Sequence, residues 1–424
     1  MSQKNHSSEQ EILNNIFEKF LKGCKIFKNR EVLRHDYVPE YLPHREEQIR
    51  HLGEIVAPTL VGHPCSNVFI YGKTGTGKTA VIRYVLKRLI IKAKSLTSPV
   101  KTCYVNCRMA GTEYRILSSL CNSIFVNVPF TGLAIGEVLD RFRKGLDSSK
   151  ILLIIVLDEI DVLVKERGDS LLYELTRLNE SLMKSRISLI GISNDLRFKE
   201  FLDPRVLSAL SEEELVFRPY NADELKDILR ERAKMAFHKG VLTDGALSLC
   251  AALAAAEHGD ARRALDLLRV AGEIAEREGA KKIIEEHVEK AEKRIEHDRI
   301  SEALKNLPTH SKLVLLSVYI LNKIGSKQLI TGDIYQVYCE ICEKYGLSPL
   351  TQRRVSGLIN ELDIIGLLNS RVVSLGRYGR TKKINLSIPK TIIKEVFMKD
   401  ERFSFLMKYN PKILSNSPKY STKW

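Results

Sequence analysis

The stretch GKTGTGKT, residues 72–79, satisfies the spacing G-x-x-x-x-G-K-[ST]. Gly72, Gly75 and Gly77 let a backbone turn until its N–H groups face an anion, and Lys73, Thr74 and Thr76 complete the loop. Lys78 would set an ammonium on the β- and γ-phosphates of a nucleotide, and Thr79 a hydroxyl on Mg²⁺. Farther on, LLIIVLDEID (152–161) ends an apolar run in acids. Asp158 would hold the Mg²⁺ shell and Glu159 would polarise an attacking water. A solvated acidic strand end is the bland alternative, and Asp161 reads as a helix-start or surface carboxylate. The expected ligand is ATP or GTP with Mg²⁺.

Such residues need elements that bring them together. NVFIY (67–71), TCYVN (102–106), ILLIIVL (151–157), ISLIGIS (187–193) and ELVF (214–217) are short apolar runs with helical stretches between most of them. That alternation predicts an α/β fold with a parallel sheet covered on both faces. The phosphate loop follows the first run and precedes the helical AVIRYVLKRLII, and ligands of open α/β sheets bind beyond the carboxyl ends of the strands. Residues 221–297 turn to Ala, Leu, Glu and Arg at helical period, which predicts a small helical domain.

The 424-residue chain has net charge +15, distributed unevenly. Residues 301–424 carry 20 Lys and Arg against 9 Asp and Glu, so +11 lies there and +4 in the first 300 residues. A basic end on a near-neutral body suits a polyanion partner or a solubilising surface. The longest apolar run, 151–157, is too short to span a bilayer, and the polar MSQKNHSSEQ start has no signal-peptide core. A soluble protein of the cytoplasm with no membrane partner is expected. Eight scattered cysteines, including the pair Cys339 and Cys342 inside a helical pattern, read as small buried hydrophobes.

The DEID strand end, GISND (191–195), FLDPRVLSAL (201–210) and EHGDARRALDLL (257–268) together resemble the AAA+ ATPases. More closely, from DYVPEYLPHREEQI (36–49) to about residue 390, the chain is similar to archaeal replication-origin initiators, relatives of the largest origin recognition complex subunit and of the cell-division-cycle helicase loader. The resemblance implies an AAA+ P-loop parallel sheet with a helical lid, followed by a C-terminal winged helix-turn-helix. The expected division is a polar segment over 1–25, a base domain over 26–220, a lid over 221–300, a winged helix over 301–395 and a tail over 396–424. It also implies Asn194 as a first sensor, although a strand-end Asn can equally cap the next helix. Arg262, with Arg263 beside it, is similar to a second sensor reaching from the lid. Arg205 matches an arginine finger, while Asp203 and Pro204 also make an ordinary helix start. Val38 in the DYVPEYLP segment, Tyr220 and Arg232 resemble the nucleobase pocket. The resemblance implies ATP and ADP, with Mg²⁺, as the ligands, and slow hydrolysis of ATP as a switch.

Near the end, PTHSKLVLLSVYILNKI (308–324), TGDIYQVYCEICEKYG (331–346) and TQRRVSGLINELDIIG (351–366) read as three helices, followed by β-rich runs around GRYGRT. In the third helix Val355, Leu358, Ile359 and Leu362 form a buried stripe. Gln352, Arg353, Arg354, Ser356 and Asn360 would face a major groove. Arg377 and Arg380, beside Tyr378 and Gly379, would enter a minor groove, and Lys382 would meet phosphate. By the resemblance, VNVPFTGLAIGEVLDRF (126–142) is an initiator-type insert, with Phe130 and Thr131 as its DNA contacts. The partners implied are double-stranded origin DNA, the replicative minichromosome maintenance helicase and paralogous initiator subunits. A clamp loader, and an ATP-gated winged-helix transcription regulator, are the competing readings.

Overall fold

The computed structural model describes residues 26–325, 329–374 and 380–411, together with Asn14 and Phe17. Its contacts divide into one unit ending at Ala291 and a second beginning at Glu292. In the first, a five-stranded parallel sheet runs in the order β2-β3-β4-β1-β5, with β1 Val68–Gly72, β2 Val100–Asn106, β3 Leu152–Asp158, β4 Arg186–Ser193 and β5 Glu213–Phe217. All seven residues of β3 are buried, as a central strand covered on both faces requires. One face packs on helix α1, Glu46–Val56, and α2, Lys78–Ser95, through Leu52, Val81, Ile82 and Val85. The other packs under α3 Cys107–Ala110, α4 Glu113–Ser123, α5 Ile135–Ser149, α6 Ile160–Arg167, α7 Ser170–Ser181 and α8 Pro204–Leu210. Register brings the strand ends level: Asn106 pairs with Asp158, Asp158 with Ile192, Tyr71 with Ser193 and Gly72 with Phe217.

The lid helices are α9 Ala222–Ala236, α10 Asp244–Ala256 and α11 Ala261–Glu278. A capping box fixes the start of α9: the Asn221 side chain accepts from Glu224 N–H, and Glu224 accepts from Asn221 N–H. Residues 26–37 were expected with the base, yet they pack on this lid. Lys28 N–H donates to Ala236 O at 2.7 Å, and the Phe27 and Phe237 rings lie 5.0 Å apart. Helix α12, Glu285–Asn306, follows and contains the division between the units.

The second unit holds α13 Thr309–Lys323, β6 Leu329–Ile330, α14 Thr331–Tyr345, α15 Gln352–Ile364, β7 Leu368–Ser374 and β8 Arg380–Leu386. The strands form an antiparallel sheet in the order β6-β8-β7, so three helices and a hairpin make the expected winged helix-turn-helix, with a short third strand added. Val355, Leu358, Ile359 and Leu362 are buried as the spacing predicts. The packed core continues past residue 395. Helices α16, Lys390–Lys399, and α17, Glu401–Ser404, bury Phe397 and Phe403, and Leu406 and Met407 join them. Ile392, Ile393, Val396 and Phe397 repeat at helical spacing, a signal that a boundary at 395 cuts through. No helix among the described residues is long and apolar enough to cross a membrane.

Candidate nucleotide site and candidate nucleic-acid surface

A cavity of about 660 Å³ opens at the carboxyl ends of the strands, between the phosphate loop, the 35–43 segment and the lid. Thr74 to Thr79 line it, as do Asp158, Glu159, Asn194, Arg262, Val38, Tyr220 and Arg232. Sequence-distant residues are therefore collected at one place, while Arg205 is not among them.

The loop is held by its own carbonyls. Thr76 Oγ1 donates to Lys73 O at 2.9 Å, and Lys78 Nζ donates to Gly72 O and Lys73 O at 2.7 Å each. Burial pushes the Lys78 ammonium down to about 8, with Asp158 pulling the other way. An anion arriving at the loop would relieve that cost. Gly75 has φ +75°, a conformation that favours glycine. Gly72 differs from expectation. It is no turn residue but the last residue of β1, where a Cβ would stand 2.3 Å from Phe217 O, so the close approach of β5 requires the glycine. Lys73 points its side chain to solvent, and both residues serve the site through their carbonyls.

Asp158 Oδ2 accepts from Thr79 Oγ1 at 3.0 Å. Hydroxyl and carboxylate are hard oxygen donors side by side at the mouth of the loop, a set that suits Mg²⁺. Glu159 sits at φ +56°, strained for a non-glycine residue, as the chain turns from β3 into α6. Its carboxylate accepts from Asn106 Nδ2 at 3.4 Å and stands 3.6 Å from Arg108 Nη1. Neither Asn106 nor Arg108 was singled out from sequence; the signal available was a polar residue closing the β2 run, as Asp158 closes β3.

Asn194 lines the cavity and leaves helix capping to Asp195, whose side chain accepts from Arg197 N–H. Asn194 N–H instead donates to Asp161 Oδ1 at 3.3 Å. Asp161 is buried in the first turn of α6, so it is a helix-start acid but no surface one. In the lid, Asp260 caps α11 by accepting from Arg262 N–H at 2.7 Å, and Ala261 N–H donates to Gly75 O at 3.1 Å. The start of the lid helix thus rests on the phosphate loop, and Arg262 turns to the cavity. Arg263 turns away, with Nη2 on Glu257 Oε1 at 3.1 Å. Arg205 is exposed and bonded to its own N-cap, Asp203, with Nε 3.2 Å from Oδ1.

Arg232 is buried, donating to Val32 O and Tyr37 O at 3.0 Å each, so its guanidinium fixes the 32–37 segment that walls the cavity. Arg45 was not foreseen as a site residue. It is fully buried and donates to Thr76 O, His44 O and Arg218 O at 3.0, 2.9 and 2.8 Å. Its guanidinium lies 3.7 Å from the centroid of the Tyr220 ring, and burial lowers its pKa. One cation joins the phosphate loop, the N-terminal segment and the end of β5. In the sequence PHREE it reads as part of a solvated charge cluster, which hid the role.

In the second unit Gln352, Arg353, Arg354 and Asn360 are exposed on α15 and Ser356 is half-buried. Thr351 caps the helix from its N-terminus. Arg354 Nη1 reaches Glu361 Oε1 at 3.2 Å, and Lys382 Nζ on β8 donates to Asn360 Oδ1, so hairpin and helix share one polar surface. Arg377, Tyr378 and Gly379 lie outside the described residues, as does the Arg380 side chain. In the first unit the 126–134 loop exposes Phe130, at 79%, and Thr131, while Val138, Phe142 and Leu146 bury α5. Tyr114 Oη donates to Pro129 O at 2.6 Å and braces the loop.

Family models match three segments: an AAA domain over 62–199, a Cdc6 AAA+ ATPase-type lid domain over 226–293, and a CDC6 C-terminal winged helix domain over 302–396. An ORC1-type DNA replication protein of Thermococcus onnurineus is 53% identical over 399 residues, covering 93% of this chain and 96% of its own. ORC1-type DNA replication protein 1 of Sulfurisphaera tokodaii is 53% identical over 387 residues, covering 91% and 96%. Among solved structures, Aeropyrum pernix ORC1 in complex with DNA is similar at TM-score 0.81 and 51% identity, over 91% of this chain and 100% of that one. The Aeropyrum pernix ORC2 protein in ADPNP–ADP complexes shares the fold at TM-score 0.59 and 24% identity, covering 91% of this chain and 100% of its own. With an AAA domain, a Cdc6-type lid and a Cdc6-type winged helix in order along a chain half-identical to these relatives, the protein belongs to the family of ORC1-type DNA replication proteins.

Proposed function

We propose that this protein is an ATP-switched replication initiator that binds origin DNA repeats and helps recruit the replicative minichromosome maintenance helicase. The observation that carries the reading is the docking of the lid helix on the phosphate loop, Ala261 N–H on Gly75 O, with Arg262 facing the cavity. A ligand in the loop touches base and lid together, so gain or loss of its terminal phosphate changes the lid contacts. Lys78 and the loop N–H groups bind the phosphates. Val38 and Tyr220 wall the nucleobase end, and Arg232 holds that wall. Thr79 and Asp158 hold Mg²⁺, which when bound offsets phosphate charge. Glu159 accepts a hydrogen bond from the attacking water and polarises it, Asn194 orients that water, and Arg262 contacts the terminal phosphate. Arg205, exposed and not among the residues lining its own cavity, would serve a neighbouring initiator subunit.

DNA is read by the exposed Gln352, Arg353, Arg354 and Asn360 with Ser356 beside them, by Arg377, Tyr378, Gly379 and Arg380, and by phosphate contact at Lys382. The braced loop presenting Phe130 and Thr131 supplies a second contact. Two elements on one duplex can bend it, since a bent site meets more protein. The protein's similarity over almost its whole length to a DNA-bound relative supports this assignment.

The test is selection of genomic fragments by the purified protein with ATP, followed by sequencing. An initiator returns a few intergenic loci with repeats beside an AT-rich stretch. Recovery of promoters across the genome would indicate a transcription regulator instead.

A further inference from the structure

The carboxylate of Asp158 is held by three donors. Thr79 Oγ1 donates to Oδ2 at 3.0 Å and Glu159 N–H to Oδ1 at 2.9 Å. Both come from segments whose roles the motifs already imply. The third donor is the phenol of Tyr104, which also bonds Oδ2 and comes from the neighbouring strand. On β2, Tyr104 lies two residues before Asn106, the residue level with Asp158, so the pleat puts both on the same face. The ring packs against the core that holds Val81, Ile154 and Val156. Its outer face is covered by Arg83, with the guanidinium 4.7 Å from the ring centroid, and Arg83 itself lines the cavity.

We infer that Tyr104 is a positioning residue for the divalent cation of this site, acting through Asp158; the inference rests on reading the cavity as a Mg²⁺–nucleotide site. A hydroxyl has one proton and two lone pairs. Thr79 can therefore keep its proton on Asp158 while offering oxygen to a cation. Tyr104 has no such second task and pins the same carboxylate oxygen from the other side. With Glu159 N–H on Oδ1, both oxygens are held in place before a cation arrives. Donors behind a metal site that orient its carboxylate typically contribute ten- to a hundredfold in metal affinity. Tyr104→Phe removes the donor and keeps the ring, its packing and the Arg83 stack.

The test uses the full chain and a fluorescent ADP analogue, titrated in EDTA and across a Mg²⁺ series. Wild type should bind more tightly as Mg²⁺ rises. Tyr104→Phe should match wild type in EDTA and need roughly tenfold more Mg²⁺ to reach its midpoint. If wild type ignores Mg²⁺, the Mg²⁺–nucleotide reading itself fails and takes this inference with it. If wild type responds and Tyr104→Phe shares its midpoint, only the inference fails. A variant midpoint at lower Mg²⁺ would show that the phenol competes with the cation, and equal loss in both arms would show a packing role. Either result overturns the assignment.

Discussion

Replacing Arg45 by Met leaves a stem of similar length and removes a guanidinium that makes three hydrogen bonds to carbonyls. The bond to Thr76 O is buried; those to His44 O and Arg218 O are partly so. A buried acceptor left without a donor costs about 1–3 kcal/mol. Loss of the cation over the Tyr220 ring adds about 1–2 kcal/mol. Against this, Met escapes the desolvation that burial of a charge imposes, about several kcal/mol for an ion. Counted over all three acceptors and the ring, the losses outweigh that gain, and a destabilisation of about 2–4 kcal/mol is expected. Thr76 belongs to the phosphate loop, so the loop also loses its tether and must be ordered by the ligand. Nucleotide affinity should fall by about ten- to a hundredfold, since each factor of ten is about 1.4 kcal/mol. Arg45→Lys keeps a charge but loses the planar fork, so it should fall between the two. The assay is thermal unfolding by circular dichroism, following the transition that ADP shifts upward, together with ADP titration. An Arg45→Met protein that melts with wild type and binds ADP equally would refute the clamp.

Other expectations follow from the same geometry. Lys78→Ala should abolish nucleotide binding, whereas Glu159→Gln should retain ATP and leave it uncleaved; filter binding with labelled ATP distinguishes them, and firm retention by the alanine variant contradicts the first. Gly75→Ala forces an L residue to φ +75° and sets a Cβ 1.7 Å from Asp260 Oδ1, so either that carboxylate gives up its cap on α11 or the lid helix shifts on the loop. Backbone strain of about 1–3 kcal/mol plus that displacement should lower ADP affinity at least about tenfold, and unchanged affinity by calorimetry would separate lid docking from binding. Lys382→Ala should weaken binding to all DNA about equally and reduce the salt slope by roughly one. Loss confined to the cognate repeat would show instead that Lys382 acts by placing Asn360.

The sheet was legible chiefly through its central strands β3 and β4, which are nearly continuous apolar runs, as strands buried on both faces are. The phosphate loop was legible because its chemistry demands fixed spacing along one stretch. Residues that act across the fold were not. Arg45 and Tyr104 work through partners 31 and 54 positions away, Thr76 and Asp158. In the sequence they are an arginine among glutamates and an aromatic on a strand. Gly72 was explained as a turn glycine, because the approach of β5 is invisible before the sheet is assembled. Arg262 was preferred to Arg263 on resemblance alone, without a physical reason in the sequence. Both follow the Asp260 cap, and only the helix phase, with Glu257 behind Arg263, decides which faces the cavity. β6 is two residues long and carries no periodicity to read.

The most direct measurement is a nuclease footprint on the selected repeats with ATP and with ADP, for wild type and Lys78→Ala. An initiator switched through this cavity protects the repeats over different extents in the two nucleotides, and Lys78→Ala gives one footprint indifferent to both. Identical wild-type footprints in ATP, in ADP and in the variant would show that the cavity does not govern how this protein holds DNA.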